Sequence, residues 1–321
     1  MAKKSLALAA LIALAAPSGV AAQQPVLDAM KAELARSLAA LHTSPSPPYF
    51  IGYDITEVQE FSASSSFGAI TDRGDERRRA LDVQLRIGSY AFDNTHARGE
   101  FPNFARFFNA SVDIPIDDDP MAIRAALWYE TQQRYRNAVE QLSDARTNAR
   151  LRVAPEDSSP DFSRESPERY VEPALVLTVD RSAWEQKLRR YTAPFAQQHD
   201  IYGANAFFTA TVETHWYVNS EGTEIQTSQP GYRLIIAAFS KADDGMELPR
   251  YESFFAATAA GLPDDQTVLH AVDRMITDLR ALRRAPSAEA HRARSHRRVA
   301  EGRVNRRTPK SFFGHMACTT R

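Results

Sequence analysis

Residues 48–94 decide the fold, and they read PYFIGYDITEVQEFSASSSFGAITDRGDERRRALDVQLRIGSYAFDN. Apolar and aromatic residues occupy every second position near both ends of this stretch: Tyr49, Ile51, Tyr53 and Ile55, then Leu81, Val83, Leu85 and Ile87. Successive side chains of a strand leave opposite faces, so this alternation predicts two half-buried strands. The charged residues 71–79 between them include Gly74 and predict the connection of an antiparallel pair.

Helices are predicted on both sides of this pair from apolar residues at three- and four-residue steps. They cover residues 27–41, residues 120 to about 150, residues 181–194 after a capping Asp180, and residues 265–284. Further strands are predicted at residues 174–179, 206–218, 223–227 and 232–240, and residues 155–173 read as an exposed linker. The pattern predicts an α+β fold over residues 23–284, with a mixed or antiparallel sheet and long covering helices.

Three consecutive aspartates, Asp117, Asp118 and Asp119, precede Pro120. One interpretation is a calcium site, but the central glycine and distal glutamate of a calcium loop are missing. The other is a helix start, with an acidic cap, proline at the first helical position and carboxylates that complement the helix dipole. The second interpretation explains the residues without a ligand.

The N-terminus has the pattern of a targeting segment. Lys3 and Lys4 precede the apolar residues 6–16, and small residues at 20–22 suit signal-peptidase cleavage. We therefore expect residues 1–22 to be a signal peptide and the product to be periplasmic or secreted. An amphipathic membrane anchor is the alternative, but a spanning helix needs about 20 apolar residues, so we expect no membrane association after cleavage.

Charge is distributed unevenly along the chain. The net charge is −1, yet residues 285–321 contain nine Lys/Arg against two Asp/Glu, which gives this tail +7 and the rest −8. The body is therefore not expected to bind nucleic acid. The tail has no periodic apolar pattern, and we expect it to be disordered and to bind no zinc. Out-of-frame translation and a basic arm for nucleic acid or anionic lipid are both open as its origin. Cys318 is the only cysteine, so no intrachain disulfide is expected.

No catalytic motif is present in the sequence. None of the eight histidines belongs to a His-Glu-x-x-His helix, and neither a Gly-x-Ser-x-Gly elbow nor a glycine-rich phosphate loop occurs. We expect His270 to be a surface or capped-core residue, His215 to be packed, and the serine-rich residues 62–66 to form a polar strand face or edge. The predicted site residues are therefore none: no catalytic, cofactor-binding or metal-binding residue is assigned.

Three blocks, PPYFIGYDITEVQEFSASSSFGAI, LDVQLRIGSYAFDNT and YVNSEGTEI, resemble the exported bacterial branch of the TldD/PmbA family of zinc-dependent peptidases over residues 26–284. The resemblance implies an N-terminal half that shapes a substrate channel, and a following half with a His-Glu-x-x-x-His zinc helix. That helix is expected shortly after Arg284 and is missing here. Only His315, after Phe312-Phe313-Gly314, faintly resembles the approach to it.

The resemblance therefore implies a truncated metallopeptidase that supplies the substrate-channel half, holds no cofactor and is inactive alone. The alternative is a non-catalytic subunit that binds unstructured peptides or forms a homo- or heterodimer with a TldD/PmbA-like partner. An unrelated structural α+β protein is the third interpretation. Fold analogy alone does not separate them.

Overall fold

The computed structural model describes residues 24–96, 111–151 and 159–285. These ranges contain four α-helices and seven strands. The helices are α1 (Pro25–Leu41), α2 (Pro120–Leu151), α3 (Arg181–Thr192) and α4 (Asp265–Arg284). The strands are β1 (Pro48–Ser66), β2 (Ala69–Ile87), β3 (Val112–Asp113), β4 (Arg169–Val171), β5 (Ile201–Asn219), β6 (Glu224–Lys241) and β7 (Glu247–Ala256).

The antiparallel pair at the start of the chain is confirmed, but its turn was placed wrongly. β1 and β2 pair along their whole length, up to Ser66 opposite Ala69. The turn is therefore the two residues Phe67 and Gly68, both with positive φ, 47° and 85°. The charged residues 71–79 belong to β2. β3 pairs with β2 only at Ala80 and Leu81, so residues 71–79 form an outer edge of the sheet. Charged side chains suit such an edge because they oppose pairing with the strands of other chains.

The seven strands form one sheet in the order β3-β2-β1-β5-β6, and β4 and β7 both pair with β6. Residues 223–227 and 232–240 were expected to be separate strands, but residues 224–227 and 232–240 lie in the continuous β6. Pro230 and Gly231 suggested a break there. β6 pairs with β4 through residues 224–226 and with β7 through residues 232–241, and Pro230 lies between these two stretches. Because no outer strand pairs with β6 at this point, the missing N–H of proline loses no hydrogen bond there. β7 was not predicted.

All four helices lie against the same face of the sheet. Ile51 and Ile55 of β1 enter a core with α1 and α2, whereas Phe61 and Ala63 enter a second core with α3 and α4. These residues are all odd-numbered positions of one strand, so both cores occupy one face. The expectation that the long helix covers the β1–β2 pair is confirmed, and α1 shares that cover.

Residues 159–173 are mostly exposed, as predicted, but they are not an unstructured linker, and the strand expected at residues 174–179 does not form. Phe162 packs against the ring of Phe50 at 4.9 Å between centroids, and β4 pairs in parallel with β6. Residues 172–179, which we name the crossing segment, are extended but join no ladder beyond the first residue, because they leave the sheet edge and pass over its helical face.

Several expectations concern residues outside the described ranges. They are the signal peptide at residues 1–22, residues 155–158 of the linker and residues 286–321 of the basic tail. Within the described ranges, no helix combines the length and the apolar character needed to cross a membrane.

Candidate functional site

A band of polar side chains separates the two apolar cores on the helical face of the sheet. It crosses four strands and consists of Arg77, Arg79, Glu57, Gln59, Thr214, Gln226 and Ser228, which we name the polar band. Strand register places these residues on the same face as the core residues, where apolar side chains are the norm. The crossing segment lies over this band.

Glu57 is the electrostatic centre of the polar band. Its side chain is 3% exposed and accepts bonds from Arg77 Nε at 3.0 Å and Arg79 Nε at 2.8 Å. Arg79, 1% exposed, also donates to Asp118 at 2.5 Å, and its guanidinium lies 5.7 Å from the ring centroid of Trp216. Each buried charge therefore has an opposite charge and several hydrogen bonds, which is the condition for retaining ions in a core.

Two glutamine amides of the polar band have their orientation fixed by neighbours. Gln59 Nε2 donates to Glu57 at 3.0 Å, which leaves Gln59 Oε1 as an acceptor. Gln226 Oε1 accepts from Trp216 Nε1 at 2.7 Å, which leaves Gln226 Nε2 as a donor. The hydroxyl of Ser228 contacts that of Thr214 at 2.9 Å. The band thus presents two acceptors and one donor toward the crossing segment.

The crossing segment meets these groups with its backbone. Leu175 N donates to Ser228 Oγ at 3.2 Å, and Leu177 N donates to Gln59 Oε1 at 3.1 Å. Gln226 Nε2 donates to the carbonyl of Glu172 at 2.5 Å. Side chains of the sheet therefore hold an extended main chain, and this chemistry is available to any extended segment with free amides.

His215 is not packed in a core, as had been expected, but lies on the opposite face of the sheet. Its Nε2 is 2.8 Å from Asp54 Oδ1, and its side chain is 36% exposed. The bond to Asp54 raises the pKa of His215 against the opposing effect of burial. The register puts His215 opposite Thr56 and Thr227, so the site is a paired histidine among threonines on an open surface.

A second cluster stands where β2 ends. The buried Asp93 accepts from Tyr49 Oη at 2.7 Å, Arg86 Nη1 at 2.8 Å and Thr95 N at 2.5 Å. Burial alone would raise the pKa of Asp93, but these bonds outweigh it and the pKa lies below its usual value. Burial and the adjacent carboxylate raise the pKa of Tyr49. Asp161 accepts from Asp93 N at 2.8 Å, so this cluster anchors the residues before β4.

The aspartate triplet begins a helix, as the second interpretation predicts. Asp119 Oδ1 accepts from Met121 N at 2.8 Å, and Asp118 pairs with Arg79. Across residues 24–96, 111–151 and 159–285, no group of three or more His, Cys, Asp or Glu side chains is arranged to hold a metal ion. The resemblance places its zinc helix after Arg284, outside the described residues, and no reaction step is assigned to zinc here.

The other residues considered from the sequence have structural roles. Ser64 contacts Thr71 at the surface, as a polar strand face predicts, whereas Ser65 is buried and donates to Leu188 O of α3 at 2.8 Å. His270 is exposed on α4, as expected. The polar band was missed. The sequence does contain one sign of it. The side chains of β1 that point toward the helices are apolar or aromatic from Ile51 to Phe61, except at Glu57 and Gln59.

The sheet face opposite the helices is uncovered by any helix of the described ranges. Phe207, Tyr251 and Phe255 project from β5 and β7 on this face, 46%, 74% and 70% exposed. Isolated exposed apolar residues are common, but several exposed aromatic side chains on one uncovered sheet face are typical of interaction surfaces. We name these residues the aromatic face.

No known family model matches the sequence, and no curated protein matches it. Among solved structures, the fold is similar to a proposed modulator of a DNA gyrase from Thermotoga maritima, at 11% identity and a TM-score of 0.44, over 76% of this chain and 47% of that chain. It is also similar to TldE from Thermococcus kodakarensis, at 10% identity and a TM-score of 0.43, over 78% of this chain and 47% of that chain.

A third similar structure is a proposed modulator of DNA gyrase from Bacteroides thetaiotaomicron, at 10% identity and a TM-score of 0.43, over 77% of this chain and 50% of that chain. This chain spans about half the length of each of the three structures. The solved structures to which this chain is similar thus include TldE and two proposed modulators of DNA gyrase, all at low sequence identity.

Proposed function

We propose that this chain is the substrate-holding half of an exported TldD/PmbA-like metallopeptidase, that it is inactive alone, and that it binds extended, unstructured polypeptide. The observation that carries the binding function is the polar band, which holds the main chain of the crossing segment through oriented side chains. The reaction class comes from the resemblance of three sequence blocks, and catalysis is assigned to residues that this chain does not supply.

The chemistry of the polar band suits a polypeptide whose sequence varies. An unstructured chain offers a repeating set of N–H and C=O groups, and the band contacts such groups rather than particular side chains. Holding Gln59 and Gln226 in one orientation before binding lowers the entropy cost of ordering them. Glu57 and Trp216 provide that preorganisation.

A partner subunit that pairs with a TldD/PmbA-like protein is the second candidate. The aromatic face favours it, because exposed aromatic residues on a sheet are typical of surfaces that another protein covers. Light scattering of the purified chain from micromolar to submillimolar concentration distinguishes a homodimer from a monomer. Replacing Tyr251 and Phe255 by serine should abolish any dimer that uses this face.

The test of the proposed function combines binding with activity. Fluorescein-labelled, carboxymethylated casein should bind, as measured by anisotropy, and the same casein should remain uncleaved in the presence of added zinc. A Gln59→Ala, Ser228→Ala variant should bind it more weakly, whereas Glu60→Ala on the opposite face of β1 is the matched control. Stoichiometric zinc in the purified protein, or cleavage that a chelator stops, would overturn the inactive assignment. If the wild-type protein does not bind casein at all, the binding function is wrong.

A further inference from the structure

We infer that residues 172–179 act as an intramolecular competitor for the polar band, so that an incoming polypeptide binds only where the crossing segment lifts away. This inference rests on the proposed function and adds its regulation and its ligand class. The segment now occupies the place where a polypeptide would bind, and it uses its own backbone amides as the ligand.

The crossing segment is held more weakly than the strands around it. Between Leu175 and Asp180 its backbone contacts to the sheet run through side chains, whereas β5 and β6 share a continuous ladder. Val176 is 75% exposed and Leu175 is 42% exposed, so two of its aliphatic side chains contribute little burial. Few buried contacts and side-chain-mediated bonds are features of segments that open locally at low free energy.

Both ends of the crossing segment are anchored independently of its middle. At one end, β4 pairs with β6 and Glu172 N donates to Gln226 O at 2.9 Å. At the other end, Asp180 caps α3 by accepting from Ala183 N at 3.0 Å. Lifting of the middle therefore requires neither β4 nor α3 to unfold, which is the arrangement of a strap with two fixed ends.

The contacts of the crossing segment define the ligand that would replace it. Leu175 and Leu177 donate amides two residues apart, the spacing at which an extended chain directs its N–H groups to one side. Leu177 and Val179 pack against the core under α3 and α4. The ligand class is therefore an extended segment with non-proline residues at both donor positions and aliphatic side chains at the second donor and two residues beyond it.

The experiment uses the full chain with residues 173–179 replaced by an equally long Gly-Ser sequence. The probe is a fluorescein-labelled peptide with the sequence EPALVLTV, added in trans to this variant and to the wild type. We expect the variant to bind it at least tenfold more tightly than the wild type does. A peptide N-methylated at the residues equivalent to Leu175 and Leu177 should lose at least tenfold in affinity for the variant. N-methylation at the equivalents of Val176 and Thr178 is the matched control and should cost less.

The outcomes separate this inference from the proposed function. Equal binding of labelled casein by the wild type and the variant would overturn the competitor and leave the binding function intact. Failure of both proteins to bind casein would overturn the binding function itself. If the variant loses its near-ultraviolet circular dichroism, it has not folded and cannot be used for the binding comparison. Hydrogen exchange of the wild-type protein then tests whether the crossing segment lifts away. Exchange of the Leu175 and Leu177 amides only through global unfolding, at the rate of the Phe208 amide in β5, would overturn the inference.

Discussion

Glu57→Gln is expected to destabilise this protein strongly, although it only replaces one carboxylate oxygen by an amide nitrogen. The carboxylate of Glu57 is 3% exposed and accepts from both Arg77 and Arg79, and Arg79 is 1% exposed. Removing one partner of a buried ion pair leaves an uncompensated charge and typically costs 3–5 kcal/mol. Arg79 keeps Asp118 and the carbonyls of Pro115 and Asp117, so we expect the low end of that range, about 3 kcal/mol.

Urea denaturation measures this loss as a lower midpoint at unchanged slope. Glu60→Gln is the matched control, because it lies on the same strand with its side chain on the uncovered face, and we expect a change within about 0.5 kcal/mol. The combined Glu57→Leu, Arg79→Met variant should lose less stability than Glu57→Gln, since replacing both ions by apolar groups removes the unpaired charge. Equal stability of Glu57→Gln and Glu60→Gln would refute the reasoning.

Three further changes test other parts of the fold. Ile51→Asp should cost about 3 kcal/mol or more in thermal or urea unfolding because it buries an unpaired carboxylate, whereas Gln84→Asp on the exposed side of β2 should cost little. The raised pKa of His215 means that its bond to Asp54 stabilises the fold fully below about pH 6.5 and loses that effect as the pH rises through the higher folded-state pKa. The stability difference between wild type and Asp54→Asn should therefore shrink from pH 6 to pH 9, and a constant difference would contradict this. Phe67→Asn should stabilise by about 1 kcal/mol, since asparagine adopts positive φ more easily, and a lower melting temperature would contradict it.

The sequence predicted the elements whose signals are local. The starts of α2 and α4 follow from Asp119-Pro120 and Asp264, because a cap is a bond between near neighbours in the chain. The Phe67-Gly68 turn was missed because phenylalanine rarely takes positive φ, and its position here is set by the pairing of the flanking strands. The local chemistry of residues 71–79 suggested a loop in its place.

The candidate site could not be predicted, because it depends on distant register. Gln59 meets Leu177, and Glu57 lies opposite Thr214, only after β1, β5 and β6 have paired. Alternation in one strand shows which residues point inward, but it does not show which inward residues of other strands lie beside them. Polar residues at inward positions are the one sign of the band that a single strand contains.

The pairing of β1 with β5, the two long strands that lie under both cores, affects the order in which the chain folds. β1 with β2, and β5 with β6 and β7, are hairpins of neighbouring segments, so each closes only short loops. The ladder that joins the two groups runs from Gly52 opposite Asn219 to Ser66 opposite Asn205, so it requires closure of a loop of about half the chain. We therefore expect two meanders to form early and to zip together along β1 and β5 in a slow, rate-limiting step. Until then the edges of β1 and β5 stay unpaired in addition to the outer edges of the sheet, and they are the surfaces that a chaperone would have to cover.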